Sequence, residues 1–298
     1  MNKKKTLFGS LSLLITALIW GAAFGAQSKG LDYIGPFTFN GFRALIAVIA
    51  LGLVLLFIWL KNHKNKDFKL WKNKKALIGS IFCGVCLFFG TTTQQIALGM
   101  TSVGKSGFIS ALYVIIVPIL GLFFKKKVSM KLWICVVIAV TGLYLLCVKE
   151  NFTIELGDLL LMLSAFGFAS QIMIVDHINK DINSCLLSII QFSVVAFLSL
   201  PVIIFFEEPT ISGTISAMPY LLFAGVLSSG VAYTLQIIGQ VNTPPTLASL
   251  ILSLESVFAF LTGLIFFDET HHLPEFIGCA LILASIIISQ VEFKKKTV

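Results

Sequence analysis

The stretch Thr246–Phe267, TLASLILSLESVFAFLTGLIFF, decides the fold. Its 22 residues suffice to cross a bilayer as a helix, since about 20 apolar residues span about 30 Å of hydrocarbon. It carries one carboxylate, Glu255, and three serines, Ser249, Ser253 and Ser256. The serines stand at i, i+4 and i+7, so they form one polar stripe on one helical face. In another apolar run, Val103–Phe124, Ser106, Ser110 and Tyr113 hold the same spacing 143 residues earlier. One helix design is used twice, and a hydroxyl stripe repeated at membrane depth points to two walls of one polar pathway.

The rest of the chain has the same character. It is 57% hydrophobic and only 12% charged, where a soluble domain carries about 25% charged residues. The expectation is an all-α integral membrane protein. A basic start, MNKKK, precedes the apolar run Leu7–Ala26. That run exceeds the roughly 7–15 residues of a cleaved signal's apolar region, so it reads as a retained first span. Nine more follow: Pro36–Leu60, Ala76–Gly99, Val103–Phe124, Lys131–Val148, Gly157–Val175, Ser184–Phe206, Ala217–Gln240, Thr246–Phe267 and Pro274–Val291. Each should be helical, because lipid offers no water to satisfy open backbone groups. The third and fourth are joined tightly; were they one bent helix, every later orientation would flip.

With the N-terminus inside, the basic residues gather on the cytoplasmic side. Lys3–Lys5, the seven lysines from Lys61 to Lys75, Lys125–Lys127, Lys131, Lys180 and Lys294–Lys296 all fall there. Lys29, Lys105 and Lys149 fall outside, and Arg43 lies within a span. This is the positive-inside pattern, so both termini should be cytoplasmic in the cell membrane and the net charge of +8 needs no nucleic acid. Cys83, Cys86, Cys135, Cys147, Cys185 and Cys279 fall in or beside spans and read as small buried residues rather than disulfides or ligands. His63, His177, His271 and His272 fall in loops or at span ends. No metal or other cofactor is expected.

Further matches extend the repeat. Lys126–Cys135 matches Glu269–Gly278 at offset 143, Ala97 matches Gly239 at 142, and Trp20 and Arg43 match Phe168 and Gln191 at 148. Residues 1–149 and 150–298 therefore read as two five-helix copies. Five crossings are odd, so the second copy should enter the membrane inverted, as in secondary transporters whose site lies between the copies.

Several short motifs carry a resemblance. Trp20-Gly21-Ala22-Ala23-Phe24, Phe42-Arg43-Ala44, Gln95–Ser102, Pro118, Ser253-Leu254-Glu255, Asp268-Glu269 and Gly278 make the chain resemble the drug/metabolite transporter superfamily, of EamA type. The chain departs at Ser256, where that family often has proline, and at Lys126, where the second copy has Glu269. The resemblance implies export, or sometimes uptake, of amino acids and other small metabolites without ATP. Independently, the chain has no G-x-x-x-x-G-K-[ST] phosphate loop, so the expected activity is secondary transport by alternating access rather than catalysis. A flippase for a lipid-linked metabolite, with a cavity open sideways to lipid, and proton-coupled drug efflux are the alternatives. The expected partners are a small-molecule metabolite, the lipid bilayer and protons; a homodimer is compatible with this reading.

The expected cavity wall is built from polar helical faces. The eighth span supplies Ser229, Tyr233, Gln236 and Gln240, and the third supplies Thr92 and Gln95 with Thr91 and Gln94 beside them. The fourth and ninth supply Ser106, Ser110, Tyr113, Ser249, Ser253 and Ser256; the first and sixth add Trp20, Ser170 and Gln171. Small hydroxyl residues also glue helices together, but four such faces together suit a cavity for a neutral, zwitterionic or weakly polar solute. Two charges lie at membrane depth. Glu255 points about 120° from its own serine stripe, toward a neighbouring helix, where it either braces by hydrogen bonds or carries a proton. Arg43 lies about 11 Å deep and could snorkel, pair with Glu255 or clamp an anionic group, with structural anchoring favoured because Gln191 at the matching position is neutral.

Overall fold

The computed structural model describes residues 3–62, 70–147, 155–266 and 273–290. Among the described residues ten helical spans follow one another. They are α1 (Lys3–Gly30), α2 (Pro36–Asn62), α3 (Lys74–Leu98), α4 (Val103–Ser110 and Tyr113–Phe123) and α5 (Met130–Cys147). The second half holds α6 (Leu156–Ile178), α7 (Ser184–Phe206), α8 (Ile211–Gln240), α9 (Pro245–Leu252 and Leu254–Phe266) and α10 (Leu273–Gln290). Among the described residues nine of these are long and apolar enough to cross a membrane, and α5 supplies the shorter apolar helix Met130–Leu145. The protein is an all-α, multi-pass membrane protein. Large apolar side chains stay on its outside, Phe206 at 82% exposure among them, which is tolerable only where lipid covers them. Lys149, His63, Phe267, Asp268, Glu269, His271, His272 and Lys294–Lys296 lie outside the described residues.

Local chemistry sets the helix ends. The Asn73 side chain accepts from Ala76 N at 2.9 Å to start α3, and Asn183 accepts from Cys185 N and Leu186 N to start α7. At the start of α2 the cap comes from far away. Phe37 N and Thr38 N donate to the Glu207 carboxylate at 3.0 and 2.7 Å, placing a negative charge at a helix N-terminus. Between α3 and α4 the chain reverses: Gln94 Nε2, one turn before the end of α3, donates to Ser110 Oγ at 3.0 Å. The two are separate helices packed side by side, so the parity of all later crossings holds.

Contacts between helix ends agree with that parity. The segment before α3 meets the α6–α7 link through Lys72 N to Asp181 O and Asn183 N to Leu70 O, both 2.7 Å. Lys126 after α4 pairs with Asp176 near the end of α6. Lys131 Nζ at the start of α5 donates to Ser289 O at the end of α10 at 3.0 Å, and Gln290 Nε2 reaches Ser10 Oγ of α1. At the other end Glu207 meets the start of α2, and Lys105 pairs with Asp158 at 2.8 Å. Each contact joins ends that ten crossings put on the same side.

Packing pairs α1 with α8 and α9, and α6 with α3 and α4; α2 packs on α7 and α8, α3 on α7, and α5 on α10. Exchanging α1–α5 with α6–α10 returns the same set of pairs. Close approaches follow suit. A Cβ on Gly84 of α3 would sit 2.9 Å from the Gln191 carbonyl oxygen, and one on Gly225 of α8 3.0 Å from that of Arg43. Glycine is what lets these backbones meet without lost contact.

Three sequence expectations are corrected. α1 runs on to Gly30 rather than ending at Ala26, and α8 begins at Ile211 rather than Ala217. Within α8, Phe223–Ala232 is π-helical. Its bonds run i to i+5, so residues five apart share a face and the i, i+4 reading of Ser229 with Tyr233 fails there. Finally, α4 and α9 are interrupted by tight turns, at Ala111–Leu112 and at Ser253. In α9 the Ser249 and Ser253 hydroxyls donate back to Thr246 O and Leu250 O, a back-bonding that bends helices.

Candidate functional site

The two interruptions position the site. They fall at matching places; Tyr113 opens the helix after the first, and Glu255 is the second residue of the helix after the second. Both side chains line one small cavity in the bundle, together with Trp20, Phe24, Gln27, Arg43, Gln94, Phe168, Gln171, Ile172, Ser228, Tyr233 and Gln236. Interrupted helices meeting at a polar cavity between two chain halves are a transporter arrangement. The cavity measures about 30 Å³, far below the roughly 300–1,000 Å³ of ligand-binding clefts. An amino-acid-sized solute therefore requires its walls to part.

Each half contributes a corresponding set. Trp20 of α1 and Phe168 of α6 match at offset 148, and Gln94 of α3 and Gln236 of α8 at 142; all four line the cavity. Aromatic packing stiffens one wall. Trp20 and Tyr233 have ring centroids 4.6 Å apart, Phe192 meets Tyr233 edge-on at 5.1 Å, and Trp20 Nε1 donates to Ser228 O at 3.3 Å.

A hydrogen-bonded layer lies toward each end of the cavity. In the first, Arg43 Nη1 donates to Gln27 Oε1 at 2.6 Å and Arg43 Nε to Asn40 Oδ1 at 3.0 Å. Asn40 Nδ2 in turn donates to Thr91 Oγ1 and Thr92 Oγ1, and Gln95 Nε2 to Gln27 O. In the second, Gln171 Nε2 donates to Gln191 Oε1 at 3.2 Å, Gln236 Nε2 to Gln171 Oε1 at 3.0 Å and to Gln240 Oε1 at 3.2 Å, and Gln240 Nε2 to Ile172 O. Gln27 sits near the end of α1 and Gln240 ends α8, so the layers face opposite sides of the membrane.

Arg43 and Glu255 are each only 4% exposed, so neither snorkels to water. Among the described residues they make no ion pair with one another. Arg43 donates two hydrogen bonds, both to neutral amides. The Tyr113 hydroxyl interacts with the Glu255 carboxyl but closes no hydrogen bond of ordinary geometry. A buried guanidinium and a buried carboxyl thus face one space without pairing with each other. Charges at membrane depth cost about 2.5–3.5 kcal/mol each on insertion scales, which makes both residues candidates for function.

Of the residues expected from sequence, Trp20, Tyr113, Gln171, Tyr233, Gln236, Arg43 and Glu255 come together at the cavity. Glu255 faces the cavity, where the sequence reading aimed it at a neighbouring helix. Angles counted along one straight helix do not hold across the turn at Ser253. Tyr113 apart, the hydroxyl stripes lie elsewhere. Ser249 and Ser253 bond their own helix, Ser256 Oγ donates to Gly107 O at 2.8 Å across the α4–α9 contact, and Ser110 serves Gln94. Ser106 and Ser229 are buried without a partner, and Thr92 and Gln95 belong to the Arg43 layer behind the wall. Ser170 bonds Phe166 O and faces a separate groove. Phe24, Gln27, Phe168, Ile172 and Ser228 were missed. Phe168 was signalled by its match to Trp20, whereas Ser228 emerges only once the π-helix puts it five residues before Tyr233.

The chain is similar to known proteins throughout. The model of the EamA-like transporter family matches it twice, over residues 7–148 and 155–290. It is 32% identical over 285 residues to an uncharacterized transporter of Archaeoglobus fulgidus, covering 95% of this chain and 86% of that one. It is 26% identical to the uncharacterized transporter YwfM of Bacillus subtilis, over 97% and 96% of the two chains. A solved crystal structure superposes with a TM-score of 0.76 at 15% identity, over 100% of this chain and 99% of the other, which speaks to fold alone.

Proposed function

The chain belongs to the EamA-like transporter family, and on that premise we propose that this membrane transporter exports a small zwitterionic metabolite such as an amino acid across the cell membrane, by alternating access and without ATP. One observation carries the reading: Arg43 and Glu255, buried and not paired with each other, line a single cavity between the aromatic walls of the two chain halves. A zwitterion offers a carboxylate to Arg43 and an ammonium to Glu255, replacing the water each charge lacks. A singly charged solute would leave one of them without a counter-charge.

The two halves act as inverted five-helix repeats in this reading. The exchangeable packing pairs and the matched approaches at Gly84 and Gly225 support it. Both termini lie in the cytoplasm, as the lysine pattern favours. Opening one hydrogen-bonded layer while the other stays shut gives access from one side at a time. The layers are built from neutral bonds worth about 0.5–1.5 kcal/mol each and a few stronger ones to Arg43, so opening one costs little enough to be reversible.

Counterflow in proteoliposomes tests the proposal. A panel of zwitterionic amino acids preloaded at high concentration should draw in labelled solute, and matched amines or carboxylates alone should not. Equal exchange of singly charged analogues would remove the zwitterion assignment. If Glu255 also carries a coupling proton, Glu255→Gln abolishes gradient-driven accumulation at every solute concentration, whereas exchange, weakened by loss of the ammonium's counter-charge, recovers as the solute concentration is raised. Unchanged pH-driven transport in that variant would end the coupling role.

A further inference from the structure

A second, larger space lies outside the transport cavity. It is a groove of about 690 Å³ between α3, α4 and α6, lined by Lys75, Ile78, Phe82, Phe124, Lys126 and Ile174 among others. Ile78, Phe82 and Phe124 are well exposed, so the groove opens to the surroundings of the bundle rather than to its centre. Its size is within the roughly 300–1,000 Å³ of ligand-binding clefts. Its wall is apolar along its depth, and its two lysines come from the helix ends: Lys75 opens α3 and Lys126 follows α4.

Charge at that rim has one sign in excess. Within three residues of a lining residue stand Lys72, Lys74, Lys75, Lys125, Lys126, Lys127 and Lys180, against only Asp176 and Asp181. Asp176 is taken by Lys126 and Asp181 by Lys72, the latter at 3.5 Å. His177 also lines the rim. Burial first, and the nearby Lys180 second, pull Lys126 below the ordinary lysine pKa even though Asp176 pairs with it. An apolar trough with cations at its mouth, at the level where a membrane helix ends, matches an acyl chain below a phosphate headgroup.

We propose that this groove is a binding site for one anionic glycerophospholipid, an acyl chain lying along Ile78, Phe82 and Ile174 and the phosphate held between Lys75 and Lys126. The site shares a wall with the transport cavity. Gln171 and Ile172 face the cavity while Ser170, Met173 and Ile174 face the groove, so α6 alone separates the two at that level. The lipid site is distinct from the zwitterion site, and its test does not depend on transport.

Purified protein in nanodiscs of equal phosphatidylglycerol and phosphatidylcholine is released from the disc and its retained lipid measured by native mass spectrometry. The site requires phosphatidylglycerol to be retained several-fold over phosphatidylcholine, at about one lipid per chain. Lys75→Glu, an exposed position whose change should not disturb folding, lowers that enrichment at least fivefold. Ile78→Trp, which fills the trough, lowers retention without altering the charge. Retention of both lipids in bulk proportion by the unmodified protein, or unchanged enrichment in Lys75→Glu, overturns the proposal.

Discussion

Seven residues into α2 stands Arg43, bonded to Gln27 and Asn40; seven residues into α7, at offset 148, stands Gln191, bonded to Gln171. Both are essentially buried. The carbonyls of both residues are approached by a glycine, Gly225 in one case and Gly84 in the other. The backbone frame is therefore the same, and only the charge differs. A charged layer at one end and a neutral layer at the other give the cavity an electrostatic direction. On the proposed function a zwitterion in it is oriented, its carboxylate toward the Arg43 end. In that reading the repeat supplies the hinge geometry, and departure from the repeat supplies the selectivity.

The strongest way to break this comparison is to make the layers alike by adding charge. Gln191→Arg places a second cation where only amides wait, at about 2.5–3.5 kcal/mol. Membrane abundance and the thermal midpoint of the purified protein should both fall clearly; unchanged stability would show that the neutral layer tolerates charge. The reverse change is milder. Arg43→Gln keeps an amide that can still reach its neighbours but removes charge-assisted bonds worth about 1.5–3 kcal/mol. Uptake of the exchanged zwitterion at low concentration should drop about 10–100-fold, with abundance near normal; an unaltered rate would make Arg43 purely structural.

Smaller effects sharpen the picture. Gln240→Met removes the two outermost bonds of the glutamine layer, about 0.5–1.5 kcal/mol each, and should raise cysteine labelling on that side without changing which solutes exchange. Ser253→Ala should do least, less than about 0.5 kcal/mol in stability and under twofold in transport, because that hydroxyl serves its own helix. A tenfold transport loss in Ser253→Ala would return the hydroxyl stripe to the site.

The fold was legible because membrane depth leaves few options: apolar runs of span length and lysine placement give the helices and their order. The site was legible only in part, and the reason is geometric. Trp20, Gln171 and Gln236 sit on unbroken helical faces, where a period of 3.6 holds, and they reach the cavity. Glu255 and Ser228 sit after a turn and within a π-helix, where that period fails. Serines were overweighted. In hydrocarbon a hydroxyl can satisfy itself on the preceding turn, as Ser249 and Ser253 do, so spacing alone does not tell pathway from packing.

Access to the cavity from both sides is the most direct test of the account. Ser228 lines the cavity and its side chain carries no bond that the layers need, so Ser228→Cys, with the six native cysteines replaced, is the reporter. An impermeant thiol reagent is applied to right-side-out and to inside-out vesicles under exchange conditions. Alternating access through this cavity requires modification from either face, slowed in both cases by the exchanged solute. Modification from one face only, or from neither while exchange proceeds, would place the pathway elsewhere.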